Sequence, residues 1–217
     1  TVTSGPEAIS TIAMSSEGSM YQTDAFYMYK ISYGPKIKNK NVELSLSNSL
    51  HHNLKLASMA LNKSMEDIVV CVLDRPRHED IIEELRQHRV RIKLMQDCDI
   101  SGAVATCLPE SGVDLMYGIG GSPEAILSAC ALKCMGGGME AQVVDESRGW
   151  AIVSDILTLE DLVKGPCVFA ATGITDGSIL RGVRFKDSGY ITNSVFMRSE
   201  SGTIRWFTTQ HGKRSWK

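Results

Sequence analysis

The sequence predicts an α/β fold with an α+β first part, a mostly parallel sheet through the middle of the chain and antiparallel strands at both ends. Three observations predict it. Strand-length runs that are apolar on both faces recur between segments of helical period from about residue 47 to 173, and such strands belong inside a parallel sheet covered by helices. Before residue 46 and after Thr175, short β-type runs are broken by Gly, Pro and Asn turns, as in antiparallel sheet. Finally, 217 residues with 43% hydrophobic content allow a sizeable core, in one large domain or two small ones.

In chain order, β-type runs at 8–14, 30–33 and 42–46 are separated by turns at Ser4-Gly5-Pro6, Gly34-Pro35 and Asn39-Lys40-Asn41. Leu50, Leu54, Ala57 and Leu61 then recur at helical spacing and predict an amphipathic helix over 48–62. Ser64-Met-Glu-Asp67 makes a short capping turn before the buried strand 68–73. A helix over 78–88, with Ile81, Ile82 and Leu85 on one face, leads to strand 90–94, and Asp99 can cap a helix running to Leu108. Strand 113–117 enters the turn Gly118-Ile-Gly-Gly121. There Ser122 suits an N-cap, Pro123 the first helical position and Gly136-Gly-Gly138 the stop of the next helix. Strands 139–144 and 167–173 flank a helix opened by Thr158-Leu-Glu-Asp161. The remaining runs, 183–185, 190–191, 195–198 and 203–208, are antiparallel, with a hairpin at Ser199-Glu-Ser-Gly202. No internal repeat or low-complexity segment is present.

Composition excludes several classes. With 23 Lys and Arg against 25 Asp and Glu, the formal charge of -2 leaves no electrostatic footprint for nucleic acid or an anionic membrane. No apolar run approaches the roughly 20 residues that span a bilayer. The six cysteines lie mostly in apolar runs and read as reduced thiols, so the expected compartment is the cytoplasm, or a plastid in a photosynthetic eukaryote. The chain opens without Met on the polar run Thr1-Val-Thr3, from which we expect a part upstream that is missing or processed away.

Ligands of open α/β sheets bind beyond the carboxyl ends of the strands. Four such ends carry Asp74-Arg75-Pro76-Arg77-His78, Gln96-Asp97-Cys98-Asp99, the glycine turn with Glu124, and Thr175-Asp176-Gly177. Guanidinium forks on either side of a proline suit phosphate, although a solvated loop explains them too. Asp97 and Asp99 suit a pair accepting hydrogen bonds from sugar hydroxyls, or a turn residue and an N-cap. Glu124 lies in the first turn of a helix whose amides favour anions; it either complements the dipole or serves a site there. The convergence of these loops favours a site for a phosphorylated polyol. Gly118-Ile-Gly120-Gly121 fits the dinucleotide fingerprint poorly, because Pro123 stands at the third glycine position. Cys130 and Cys134 read as an apolar helix face, Cys98 as an exposed thiol between two carboxylates, and His51, His52, His78 and His88 show no ligand spacing with acidic partners.

Arg75-Pro-Arg-His78, Asp97-Cys-Asp99, Tyr117-Gly-Ile-Gly-Gly-Ser-Pro-Glu124, Ala171-Thr-Gly-Ile-Thr175 and Met197-Arg-Ser-Glu-Ser-Gly-Thr-Ile-Arg205 occur in this order. Together they resemble the class II fructose-1,6-bisphosphatases, over nearly the whole chain. These belong to the lithium-sensitive sugar and inositol phosphatases, with a layered α/β sandwich. The resemblance implies hydrolysis of the 1-phosphate of fructose 1,6-bisphosphate with Mg2+ or Mn2+, in gluconeogenesis or the Calvin cycle, with sedoheptulose 1,7-bisphosphate as a second substrate and a homo-oligomer, dimer or tetramer. By position it implies that Tyr27, Arg75 and Arg77 hold the distal phosphate, Asp97 and Asp99 orient sugar hydroxyls, Gly121 approaches the substrate by its backbone, and Glu124 is a metal ligand. It implies residues 1–46 as the remainder of an N-terminal metal-binding domain and 47–217 as a sugar-phosphate-binding domain. The family's upstream motif Asp-Pro-(Ile/Leu)-(Asp/Glu)-Gly-Thr, which supplies most metal ligands and a threonine that helps activate water, is not in this sequence. No catalytic residue is therefore expected among the 217, and the alternative expectation is a non-catalytic sugar-phosphate-binding module or regulatory subunit. Three further departures stand at the site or near it: Arg75 for Lys, Cys98 for Gly and Gly138 for Asp. The segment between Val144 and Ile156 is also shorter than the family's charged loop.

Overall fold

Helix α5 (Ser122–Met135) is largely buried, with Ala125, Ala129, Cys130, Ala131 and Leu132 fully covered. A helix with no polar face belongs between two layers, and its small side chains let both layers approach. The computed structural model describes residues 5–40 and 42–212; the Thr1-Val-Thr3 run, and Ser4 and Asn41 of two expected turns, lie outside them. Before α5 come β1 (Ile9–Ser15), β2 (Tyr27–Tyr33), α1 (Pro35–Lys38), α2 (Leu50–Leu61), β3 (Val69–Leu73), α3 (Glu79–Gln87), β4 (Arg91–Met95), α4 (Asp99–Ala105) and β5 (Leu115–Gly121). After it come β6 (Gly138–Asp145), β7 (Ala151–Ile152), β8 (Leu157–Thr158), α6 (Leu159–Leu162), β9 (Cys167–Gly173), β10 (Arg184–Lys186), β11 (Gly189–Arg198) and β12 (Thr203–Gly212).

The strands form two sheets. One has the order β4-β3-β5-β2-β6-β7, with β8 also on β6; the other is β1-β9-β11-β10, with β12 also on β11. Helices α4 and α5 lie between them around a core that includes Met28, Ile100, Ala141, Phe169 and Met197. On the other face of the first sheet, α2 and α3 cover Ile31, Val70, Val72 and Leu115. The layered α/β architecture is thus the predicted one. Parallel pairing is confined to β4-β3-β5, because β2 runs antiparallel between β5 and β6. Strand β2 can sit inside the sheet because it is apolar toward both cores, Met28 on one side and Ile31 on the other. The second sheet is antiparallel throughout.

Local differences from the expectations have identifiable causes. Residues 42–46 form no strand; Leu44 plugs the core, while the amides of Ser45 and Leu46 donate to the side chains of Asn53 and Glu140 (3.1 and 2.8 Å), so side chains satisfy what a neighbouring strand would. Ser122 is the first helical residue rather than the cap: Gly121 takes that place, and the Ser122 amide donates to Phe26 O at 2.9 Å. Likewise α4 begins at Asp99 and is preceded by Cys98 in a left-handed conformation, φ 67°. The runs 190–191 and 195–198 belong to one strand, β11. Thr158 and Asp161 do form a reciprocal capping box. Among the described residues no helix is long and apolar enough to cross a membrane.

Candidate functional site

The topology brings four chain segments to one sheet edge. Strands β3, β4 and β5 run parallel and end there; β2 runs the other way, so its first residue, Tyr27, pairs with Gly121 at the same edge. A cleft of about 420 Å³ opens above them, toward β1 of the second sheet. Tyr27, Arg75, Arg77, Asp97, Asp99, Gly121 and Glu124, all seven site residues proposed from the sequence, line this cleft. Its size falls in the range of roughly 300–1,000 Å³ common to small-molecule sites. Thr175-Asp176-Gly177 does not reach it. Asp176 is held by Arg184 at 2.6 and 2.7 Å, and Thr175 Oγ1 donates to Gly5 O at 2.7 Å, so that turn fastens the second sheet.

The inner wall is a buried ion pair. Lys30 extends from β2 with 1% of its side chain exposed and meets Asp99 at the start of α4, which is 4% exposed. The same ammonium donates to Gly121 O at 3.2 Å. Gly120 lies under this pair, where a Cβ would collide with Asp99 Oδ2 and only glycine lets the backbone come so near. Beside it the Glu124 carboxylate folds back over Gly121, filling the space a side chain would take there. One charge from β2 thus ties the head of one helix to the glycine turn before another. Asp99 is therefore not the N-cap that its position suggested.

The outer rim is different. Arg75 and Asp97 form an ion pair at 2.6 Å with 36% and 46% of their side chains exposed. Arg77 turns inward: its Nε and Nη2 donate to Ile119 O at 3.1 and 3.0 Å, and its guanidinium carbon lies 5.3 Å from the centre of the Tyr27 ring. That leaves Nη1 and the second Nη2 hydrogen as a fork. Burial holds the Arg77 pKa below its ordinary value, yet guanidinium stays charged at any physiological pH. His78 is buried, with Nδ1 at 2.7 Å from Leu73 O and Nε2 at 2.7 Å from Ile119 N. A carbonyl only accepts and an amide only donates, so the ring is neutral with its proton on Nδ1. Burial likewise pulls its pKa down. Cys98 is half-buried rather than exposed; it contacts Ser101 Oγ at 3.2 Å, and burial raises its thiol pKa. Among the described residues no group of three or more His, Cys, Asp or Glu side chains could hold a metal ion.

The family model described as "Bacterial fructose-1,6-bisphosphatase, glpX-encoded" matches residues 1–211. The chain belongs to this family. Three cyanobacterial relatives share the name D-fructose 1,6-bisphosphatase class 2/sedoheptulose 1,7-bisphosphatase. The protein from Synechocystis is 34% identical over 230 residues, covering 96% of this chain and 66% of its own length. Those from Microcystis aeruginosa and Synechococcus elongatus are 33% and 32% identical, over 94% and 95% of this chain and 65% of theirs. The chain thus spans about two thirds of the length of the relatives it matches.

Within this chain, sequence reasoning missed two residues that shape the cleft. Lys30 opens the β-type run 30–33, and nothing local says its charge is buried; a lone cation inside a strand destined for a sheet interior is the signal that was available. His78 was passed over for want of ligand spacing. Its work is to join the end of β3 to the glycine turn of β5, a contact between residues 41 positions apart.

Proposed function

We propose that this chain binds a sugar bisphosphate in the cleft at the carboxyl edge of the first sheet, and that it serves hydrolysis of the 1-phosphate of fructose 1,6-bisphosphate to fructose 6-phosphate and phosphate. What supports the reading above all is that seven residues from four separate segments line one cleft of suitable size. The relatives' names supply the reaction and both bisphosphates. In this reading Arg75, Arg77 and Tyr27 take the distal 6-phosphate, Arg77 through its free fork. Asp97 and Asp99 accept hydrogen bonds from sugar hydroxyls, and the Gly121 backbone lies against the sugar. Asp97 would exchange its ion pair with Arg75 for these partners, while Asp99 keeps Lys30 and offers its remaining lone pairs.

Glu124 faces the opposite end of the cleft's chemistry: a carboxylate beside the glycine turn, suited to one position around a divalent ion, Mg2+ or Mn2+. One carboxylate does not make such a site, since Mg2+ is held by several oxygens, and the described residues do not complete it. No hydrolytic step is therefore assigned to a residue of this chain. The division of roles follows: residues 1–46 belong to a metal-binding part and 47–217 to the sugar-phosphate part, although β1 and β2 of the first are woven into both sheets. A cytoplasmic dimer or tetramer is part of the same proposal.

The test is calorimetry with fructose 6-phosphate and fructose 1,6-bisphosphate on the 217-residue chain, together with phosphate release in Mn2+ or Mg2+. Arg77→Gln removes charge-assisted hydrogen bonds worth about 1.5–3 kcal/mol, so fructose 6-phosphate should bind roughly 10- to 150-fold more weakly. Binding of the bisphosphate without turnover at any metal concentration favours the non-catalytic module. No affinity for either sugar phosphate overturns both readings.

A further inference from the structure

The turn after β6 reaches the same edge as Tyr27, because β6 pairs antiparallel with β2 and places Val144 opposite Tyr27. Asp145 closes this turn: its Oδ1 accepts from the Ser147 amide at 2.9 Å and the Ser147 hydroxyl at 2.6 Å, and its other oxygen lies 3.2 Å from Arg148 Nε. The two residues before β7, Gly149 and Trp150, are both left-handed, with φ of 65° and 66°. For glycine that is ordinary. For tryptophan it is an outlier, and a bulky side chain in such a place is held there by its surroundings.

The surroundings are Arg77 and Tyr27. The Arg77 guanidinium carbon lies 5.3 Å from the centre of the Trp150 ring and 5.3 Å from that of Tyr27, while the two rings are 5.1 Å apart with planes at 72°. Three nearly equal sides make a triangle, so the rings form a corner on one side of the cation rather than a sandwich around it. With Nε and Nη2 spent on Ile119 O, the corner fixes the remaining freedom of the group, its rotation about that carbonyl. Trp150 itself is outside the lining of the cleft, whereas Arg77 and Tyr27 are in it.

We infer that Trp150 is a positioning residue for phosphate recognition: with Tyr27 it forms an aromatic corner that holds Arg77 by cation–π attraction and keeps its free fork turned into the cleft. This rests on the reading of Arg77 as a ligand of the sugar's distal phosphate. The strained backbone at Trp150 is the cost of bringing an indole from a neighbouring hairpin to a guanidinium fixed on β3's loop. Tyr27 alone, tied to β2, offers one wall; without the second the guanidinium swings about Ile119 O and spends less of its time facing a bound anion.

The backbone strain makes the test discriminating. Trp150→Gly relieves the left-handed φ and removes the ring; Trp150→Phe keeps a ring face. Fructose 6-phosphate titrated by calorimetry into the 217-residue chain needs no metal to report on the distal site. Trp150→Gly should bind it roughly 3- to 30-fold more weakly, the range of cation–π contributions, while the melting temperature holds or rises. Trp150→Phe should stay within about 2-fold of the parent, since the ring face that attracts the cation is retained. An unchanged affinity for Trp150→Gly overturns the inference, and so does a Trp150→Phe chain as weak as Trp150→Gly, whatever the melting temperatures. Arg77→Gln in the same titration separates the two levels. If it loses binding while Trp150→Gly does not, only the positioning role fails; if it binds like the parent, the phosphate reading itself falls.

Discussion

Asp97 and Asp99 stand two residues apart in one turn, each paired with a cation, and they live in different media. The Asp99–Lys30 pair is 4% and 1% exposed, and the Asp97–Arg75 pair 46% and 36%. Water screens the outer pair, whose free energy is small and whose partners separate readily. The inner pair has lost its water, and each charge depends on the other. The difference assigns them different work. An outer pair that opens at little cost suits groups that must let go of each other to take a ligand, whereas an inner pair that cannot open suits the fixing of β2, the glycine turn and α4 in one geometry.

Breaking each pair from one side tests that difference most strongly. Lys30→Met strands the Asp99 carboxylate and should cost about 3–5 kcal/mol, a large part of the 5–15 kcal/mol typical of a domain; urea denaturation should show a partly or wholly unfolded chain. Asp97→Asn in the same assay should cost under about 1 kcal/mol. Lys30→Met combined with Asp99→Leu removes both buried charges and should recover much of the stability. Equal losses for the two single variants would show that burial is not what separates the pairs.

A second way to sharpen the contrast is pH, through His78, which belongs to the buried side although it follows Arg75 by three residues. Burial holds its pKa below the ordinary value, and its contacts require the neutral ring. As pH falls, the unfolded chain takes up the proton first, near pH 6.5. The contribution of His78 is therefore complete above that pH and is lost as pH falls through the lower, folded value. Protonation strands the Ile119 amide, an effect on the order of 1–3 kcal/mol. Urea midpoints between pH 8 and 5 should fall for the parent chain and much less for His78→Gln. Parallel curves would remove His78 from the account.

The same contrast explains what was legible in the sequence. Arg75, Arg77 and Asp97 lie in turns, and Glu124 in the first turn of a helix, just past apolar runs, where a charged residue is a local signal and strand ends are ligand sites by topology. All of them reached one cleft. Lys30 and His78 were illegible because what makes them matter is a partner far along the chain, 69 residues away for Lys30 and 41 for His78. Strand β2 shows the limit for the fold. Its short run 30–33, ended by the Gly34-Pro35 turn, suggested an antiparallel sheet apart from the parallel layer, and only its pairing with both β5 and β6 reveals a strand buried on both faces. At Gly138, another departure, a Cβ would enter the space of the Tyr33 ring, so the acid the family resemblance suggested at this position requires that ring to move.

The smallest effect concerns the residue between the two carboxylates. Cys98 joins the exposed and buried pairs with φ 67° and ψ 66°, a left-handed turn that sends Asp97 outward and Asp99 inward. A side chain in that conformation costs about 1–2 kcal/mol, and glycine would escape it while paying roughly 0.5–1 kcal/mol in backbone entropy. Cys98→Gly should therefore stabilise the chain by on the order of half a kcal/mol, the difference of these two, with fructose 6-phosphate affinity unchanged, because neither ion pair moves. A rise of a degree or two in melting temperature would register it. A clear fall would mean that the packing of the thiol against Ser101, and not the turn, holds the two carboxylates apart.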